Sequence, residues 1–379
     1  MRVLLIADYS KDALQSMQHF VIMMENGLNA EHQVTVLRPP IFFGHISTPS
    51  LFINKWLGYL DKYLIFPWIL MFASKQADVI HFCDQSNAPY VWFVSKKPHL
   101  VTCHDVLAIQ SALGMHSQHP TGFTGRIYQH FIHHGLAKAQ LVACVSEFTR
   151  SELHELGLVD AKNIITIENG FNYQYAPMPE NEAWLRLSKY GLTRGLSFLL
   201  HVGGNIWYKN RSGVIELFAL IRKNYKGPLN LVMAGKPLTH ELRSLVATLD
   251  IAPHLYELSD INNEELCALY SVAKALIFPS FHEGFGWPII EAQVCGCPVF
   301  TSDREPLRSI GGKAARYFDP TQLEHAATVV CAGLEDRECL REKGFVNACR
   351  FSTDTMIKKY IEAYQTLCDY RDNTNKRTH

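Results

Sequence analysis

The 379-residue sequence carries no charge excess: Lys plus Arg and Asp plus Glu number 36 each. That balance supplies no global field for nucleic acid or for a polyanionic partner. No stretch reaches 18 uncharged apolar residues, so no membrane span is expected. Met1–Ala7 holds one Arg and an apolar run too short for a secretory signal. The ten cysteines lack the C-x2-C…C-x2-C spacing of a zinc site. Buried free thiols in a reducing cytoplasm are the reading they support. Internal repeats and low-complexity segments are absent too. What remains is a soluble globular composition, 47% hydrophobic and 19% charged, long enough for two domains with separate cores.

Short apolar runs alternate with segments of helical period, the pattern of a doubly wound α/β chain. In the first half, strands are expected at Arg2–Ala7, Gln33–Leu37, Val79–Phe82, Leu100–Thr102, Leu141–Val145 and Ile164–Glu168. In the second they fall at Ser197–Val202, Asn230–Ala234, Leu255–Leu258, Ala275–Pro279 and Val299–Thr301. Ala176-Pro-Met-Pro179 stiffens the chain, so the boundary is set there, giving units 1–179 and 180–355. Phe351–Cys368 reads as a terminal helix, with 373–379 as a disordered tail. His130, His133 and His134 have helical spacing but no fourth ligand at a telling distance, so no metal is expected.

Leu51–Phe72 is dense in Trp, Tyr, Phe and Leu, with Lys55 and Lys62 among them. Two readings stay open. One is a peripheral contact with a membrane surface. The other is an apolar helix packed on the first sheet, or an oligomer contact.

The most informative stretch is Phe278–Val299, a strand, a loop, a short helix, a turn and a strand. Gly284 and Gly286 let the backbone bend close to a ligand. Pro288 suits a helix start, Gly296 a helix end, and a helix N-terminus after such a turn favours anions. Glu283 and Glu291 flank it with E-x7-E spacing. Strand ends at Gly203-Gly204, followed by Lys209 and Arg211, make a diphosphate grip of the same kind.

Within H-E-G-F-G-W-P-I-I-E-A-Q-V-C-G-C-P-V, this pair resembles the signature of the retaining, nucleotide-sugar-dependent glycosyltransferases of family 4, whose fold is GT-B. G-x-A-A-x-Y-F-D-P near Asp319 and N-G-F at Asn169 are similar to the family as well. The resemblance covers most of residues 77–368 and departs in three places. Asp8–Ser16 lacks a glycine-rich turn, Tyr208 stands where Arg is common, and Ser309 where Glu is common.

The resemblance implies two Rossmann-like units facing a cleft, with a helix in 356–379 packing back on the first. It implies transfer of a hexosyl unit, with retention, from a UDP- or GDP-sugar to a glycan, lipid-linked or small-molecule hydroxyl. The enzyme would be cytoplasmic or peripheral at the inner membrane face, needing neither metal nor cofactor. Catalytic roles are expected for Glu283, Lys209 and His104. Donor contacts are expected from Glu291, Gly203, Gly204, Arg211, Gly284, Phe285, Gly286, Trp287, Ser259 and Ile261. Glu291 suits a ribose diol, because one carboxylate accepts from two adjacent hydroxyls. With Glu291 so used, a double displacement lacks its second carboxylate, and front-face attack is expected instead. A nucleotide-sugar epimerase and a non-catalytic sugar-nucleotide-binding relative are the alternatives.

Overall fold

The computed structural model describes residues 1–12, 15–46, 51–115, 120–157 and 159–377, without the side chains of 15, 51, 52 and 371–377. The chain divides into two compact units: Met1–Asn172 with Ser352–His379, and Tyr173–Phe351. Ala176–Pro179, expected to close the first unit, belongs to the second. There the Met178 N–H donates to Ser271 Oγ at 2.9 Å and the Cys267 thiol to the Ala176 carbonyl, also at 2.9 Å.

Each unit holds a six-stranded, wholly parallel sheet. The first contains β1 Arg2–Ile6, β2 Gln33–Leu37, β3 Val79–Phe82, β4 His99–Cys103, β5 Leu141–Cys144 and β6 Ile164–Thr166. The second contains β7 Phe198–Val202, β8 Asn230–Ala234, β9 Leu255–Leu258, β10 Ala275–Phe278, β11 Val299–Ser302 and β12 Ala315–Phe318. Their orders are β2-β1-β3-β4-β5-β6 and β12-β11-β10-β7-β8-β9. The strand order therefore reverses between β1 and β3, and between β7 and β10. Ligands of such sheets bind beyond the strand ends at those points.

Parallel strands covered on both faces must be apolar throughout, and β3, β4 and β10 are buried at every position. Helix Gln15–Leu28 covers one face of the first sheet, and Gly27 lets the C-terminal helix come close. A Cβ there would lie 2.5 Å from Ile357. That C-terminal helix, Thr353–Arg377, is longer than expected. Residues 373–377, read as a disordered tail, continue it, while 378 and 379 lie outside the described residues. It is held by burial of Met356, Tyr360 and Tyr364 on the first unit.

The aromatic segment is a helix (Leu51–Leu60), a π-helical turn (Asp61–Ile65) and a second helix (Phe66–Ser74). Asp61 fixes the turn. It accepts from the Phe42, Phe43 and Gly44 N–H groups at 3.2, 2.8 and 2.9 Å and from Tyr9 Oη at 2.8 Å. Burial pushes its carboxyl up, but those donors outweigh it and hold the pKa below the usual range. Among the described residues, no helix is long and apolar enough to cross a membrane.

Candidate active site

The second sheet brings its two motif segments together at its switch point. After β7 the chain runs through Gly203-Gly204 into a single turn, Trp207–Lys209, then a helix at Arg211–Asn224. Asn210 joins them in a left-handed conformation (φ 53°), and its side chain caps the helix by accepting from the Gly213 N–H at 3.2 Å. Its amide also donates to the Pro279 carbonyl beyond β10, at 3.1 Å. The Phe281 N–H donates to the Tyr208 carbonyl at 2.7 Å. These bonds tie the β7 loop to the β10 loop.

Lys209 and Glu283 meet across that junction. Lys209 Nζ donates to both Glu283 oxygens, at 2.7 and 2.8 Å. Glu283 is buried, and the Lys209 side chain is 18% exposed. The sequence assigned one to phosphate and the other to sugar; in the structure each is the other's partner. A charge so enclosed is held only by a counter-charge, so whatever takes Lys209 must release Glu283.

Helix Trp287–Val294 opens directly after this loop, with Gly286 before it at φ 102°. A side chain at Gly286 would be strained, and its Cβ would lie 2.8 Å from Leu307. Trp287 is the first helical residue and Pro288 follows, one position later than expected. Gly296 takes φ 80° after the helix, where Pro298 bars continuation. Phe285 is buried and packs edge-on against Phe351, while Gly284 stays partly open. Glu291 is buried on the helix, where Tyr270 Oη donates to it at 3.0 Å. Burial beside that carboxylate pushes the Tyr270 phenol up. Tyr270 had no signal in sequence, being 21 residues from its partner.

Arg211 is the first residue of its helix and is buried, so it does not point to solvent. Its Nη1 donates to the Lys236 carbonyl at 2.7 Å and to Asn205 Oδ1. Nε and Nη2 have no partner among the described residues. Burial lowers its pKa. The guanidinium thus joins the β7 and β8 loops. Gly235 allows that approach, since a Cβ there would lie 2.2 Å from the Gly203 carbonyl oxygen. Ser259 and Ile261, after β9, are partly buried around Asp260, which has φ 55°.

His104 belongs to the first unit, at the carboxyl end of β4. Its Nε2 carries the proton, because it donates to the Cys83 carbonyl at 2.9 Å. Nδ1 is left as an acceptor without a partner among the described residues. Burial lowers its pKa, so the ring is neutral. Asp8 and Asp84, at the ends of β1 and β3, are buried in the same unit and were not singled out in sequence. Asp8 accepts from Asn87 Nδ2 at 2.6 Å and Ser86 Oγ at 3.2 Å. Burial raises both carboxyls, and Asp84 raises Asp8 further. Among the described residues no group of three His, Cys, Asp or Glu is arranged to hold a metal.

Known proteins resemble both halves. The family model for Glycosyl transferases group 1 matches residues 187–344, and that for Glycosyltransferase Family 4 matches residues 12–175. O-antigen chain mannosyltransferase B of Escherichia coli is 29% identical over 247 residues, 64% of this chain and 65% of that protein. Serotype-specific mannosyltransferase WbdA of Escherichia coli is 21% identical over 63% of this chain and 30% of its own length. The chain thus spans under two thirds of either relative. Among solved structures, Anabaena Alr3699/HepE in complex with UDP-glucose superposes with a TM-score of 0.74 at 15% identity, over 97% of this chain and 100% of that one. WaaG, a glycosyltransferase involved in lipopolysaccharide biosynthesis, gives 0.70 at 15% identity, over 95% and 98%. The chain belongs to the group 1, family 4 glycosyltransferases and has the GT-B fold.

Proposed function

We propose that this protein is a retaining mannosyltransferase that moves a mannosyl unit from a nucleoside-diphosphate sugar to a hydroxyl of a growing glycan, without a metal. The sugar and acceptor class rest on the names of its relatives, among them an O-antigen chain mannosyltransferase and a serotype-specific mannosyltransferase. The observation that carries the chemistry is the Lys209–Glu283 pair at the switch point of the second sheet.

A donor diphosphate competes with Glu283 for Lys209. Once Lys209 turns to phosphate, Glu283 is free to accept from the sugar hydroxyls and fix the ring. Glu291, already oriented by Tyr270, accepts from the ribose diol. As the glycosidic bond breaks, negative charge grows on the departing phosphate. Lys209 and the N–H groups opening helix Trp287–Val294 stabilise it, each such donor contributing on the order of 3 kcal/mol in the transition state. With both glutamates so used, the departing phosphate oxygen takes the acceptor's proton on the face that the leaving group vacates. His104, neutral and with Nδ1 open, accepts a hydrogen bond from a sugar hydroxyl.

Thermal shifts with UDP, GDP and their mannose and glucose derivatives, with and without EDTA, test this directly. One nucleotide should raise the melting temperature, EDTA should leave that rise intact, and Glu291→Ala should abolish it. Product anomeric configuration, read by NMR, tests retention. A rise that vanishes with EDTA would sink the metal-free reading, and a glycosyl adduct trapped on Glu283→Gln would sink front-face attack.

A further inference from the structure

Two helices of the second unit pack side by side, Asn263–Val272 and Trp287–Val294. The first starts on a capping box. The Asn262 side chain accepts from the Glu265 N–H and the Glu265 side chain from the Asn262 N–H, each at 2.9 Å. The second starts on the glycine turn after β10. Cys295 closes it by donating its N–H to the Glu291 carbonyl at 3.2 Å.

Helical spacing makes this packing a ladder with two rungs. Cys267 and Tyr270 lie three positions apart on one helix, Glu291 and Cys295 four apart across the end of the other. Each pair therefore shares a face. One rung is the bond from Tyr270 Oη to Glu291 at 3.0 Å. The other is sulfur on sulfur, with Cys267 Sγ and Cys295 Sγ 3.7 Å apart. The Cys267 thiol gives its own hydrogen to the Ala176 carbonyl, so the Cys295 S–H is the donor between the two sulfurs.

This arrangement gives the pair a nucleophile and a resolving thiol. The bond from Cys295 draws the Cys267 thiol down to about 6, and the same contact pushes Cys295 up. Cys267 also keeps 6% exposure against 2% for Cys295, so a small oxidant meets Cys267 first.

We propose that Cys267 and Cys295 form a dithiol site that hydrogen peroxide converts to a disulfide, and that this disulfide weakens donor binding by displacing Glu291. The Cys267 thiolate attacks one peroxide oxygen and the O–O bond breaks. Cys267 becomes a sulfenic acid, and the departing hydroxide takes up the thiol's proton as water. The Cys295 sulfur then displaces the hydroxyl from Cys267, which leaves with the Cys295 proton as a second water. Two thiols lose two electrons and two hydrogens, and one peroxide becomes two waters. A disulfide holds its sulfurs about 2.05 Å apart, so they must close from 3.7 Å. Cys295 carries that movement into the last turn of its helix, through its bond to Glu291, and shears the neighbouring rung. The effect on the donor rests on the ribose role proposed above for Glu291; formation of the disulfide does not.

The test treats the full chain with hydrogen peroxide, alkylates the remaining thiols and maps the unreduced peptides by mass spectrometry. A linked pair containing Cys267 and Cys295 should form, and dithiothreitol should separate it. The nucleotide-induced thermal shift should then need roughly tenfold more nucleotide and recover with dithiothreitol. Peroxide should leave that shift unchanged in Cys295→Ala and in Cys267→Ser. Alkylation of both thiols after peroxide, or oxidation of Cys267 without linkage to Cys295, overturns the site. A disulfide that leaves the nucleotide dependence unchanged overturns its coupling to Glu291. Peptide mapping needs no nucleotide, so it judges the dithiol even where the donor reading fails.

Discussion

Each sheet carries one fully buried histidine beside its switch point, His81 on β3 and His201 on β7, and the two are treated differently. His81 is closed on both sides, by Tyr364 Oη and by Thr102 Oγ1, each at 2.7 Å, and Tyr360 Oη meets the same threonine at 2.9 Å. His201 uses Nδ1 to donate to the Ile277 carbonyl at 3.0 Å, but its Nε2 has no partner among the described residues. A Cβ on Gly203 would lie 3.1 Å from that nitrogen. In the first sheet the C-terminal helix supplies the missing partners. In the second, the polar groups beyond β7 and β10 pair chiefly with one another, as Lys209 does with Glu283. Where polar groups are fully partnered by their own chain, the arrangement is structural. Where charges hold only each other, a ligand can exchange with them.

The sharpest way to break this comparison is Tyr360→Ala. It empties a fully buried site and should cost about 3–5 kcal/mol in urea unfolding. A cost as small as that of a surface change would show that the helix does not close the first sheet. Lys209→Ala should act on transfer as well as on stability. Transfer should fall about 100-fold, the size of one lost charge stabiliser. Unfolding should lose up to about 3–5 kcal/mol for the stranded, buried Glu283 charge, so the loss of activity is what sets this variant apart. Adding Glu283→Gln should return part of that stability without restoring activity. Tyr364→Phe removes one hydroxyl from His81 and should cost about 1–3 kcal/mol, with nucleotide binding unchanged.

Acid gives the smallest effect and touches both sheets. Burial depresses His81 and His201 to about 3. Below an ordinary pKa of about 6.5 the unfolded chain binds protons that the folded chain refuses, so stability falls as pH falls. Near pH 5.5 each histidine should cost about 1.4 kcal/mol. Two imidazole resonances that do not titrate between pH 8 and 5 would establish it; titration of either near 6.5 would refute it for that ring.

The strands were legible in sequence because parallel strands buried on both faces are apolar without interruption. Val79–Phe82, buried throughout, and Asn230–Ala234, buried after its first residue, begin and end where they were expected; so does Leu255–Leu258, although it is an edge strand with Glu257 exposed. The turn at Gly284–Gly286 was legible because a left-handed residue before a helix calls for glycine. The partners of the motif residues were not. Tyr270 on Glu291, Tyr364 on His81 and Asn87 on Asp8 are chosen by tertiary packing, which leaves no spacing in the chain. The tail was misread for a related reason. Residues 373–377 are polar, and their helix is carried by Tyr360 and Tyr364 upstream rather than by their own composition.

The return of the chain at Ser352 to the unit it left at Asn172 sets an order of events during synthesis. The strands of the first sheet leave the ribosome long before Tyr360 and Tyr364, which bury their flank. At about 5–20 residues per second, the 180 positions from Asn172 to Ser352 take about 10–40 s to make. Through that interval the nascent amino-terminal unit shows an apolar flank that waits for the later-made helix Thr353–Arg377 to cover it.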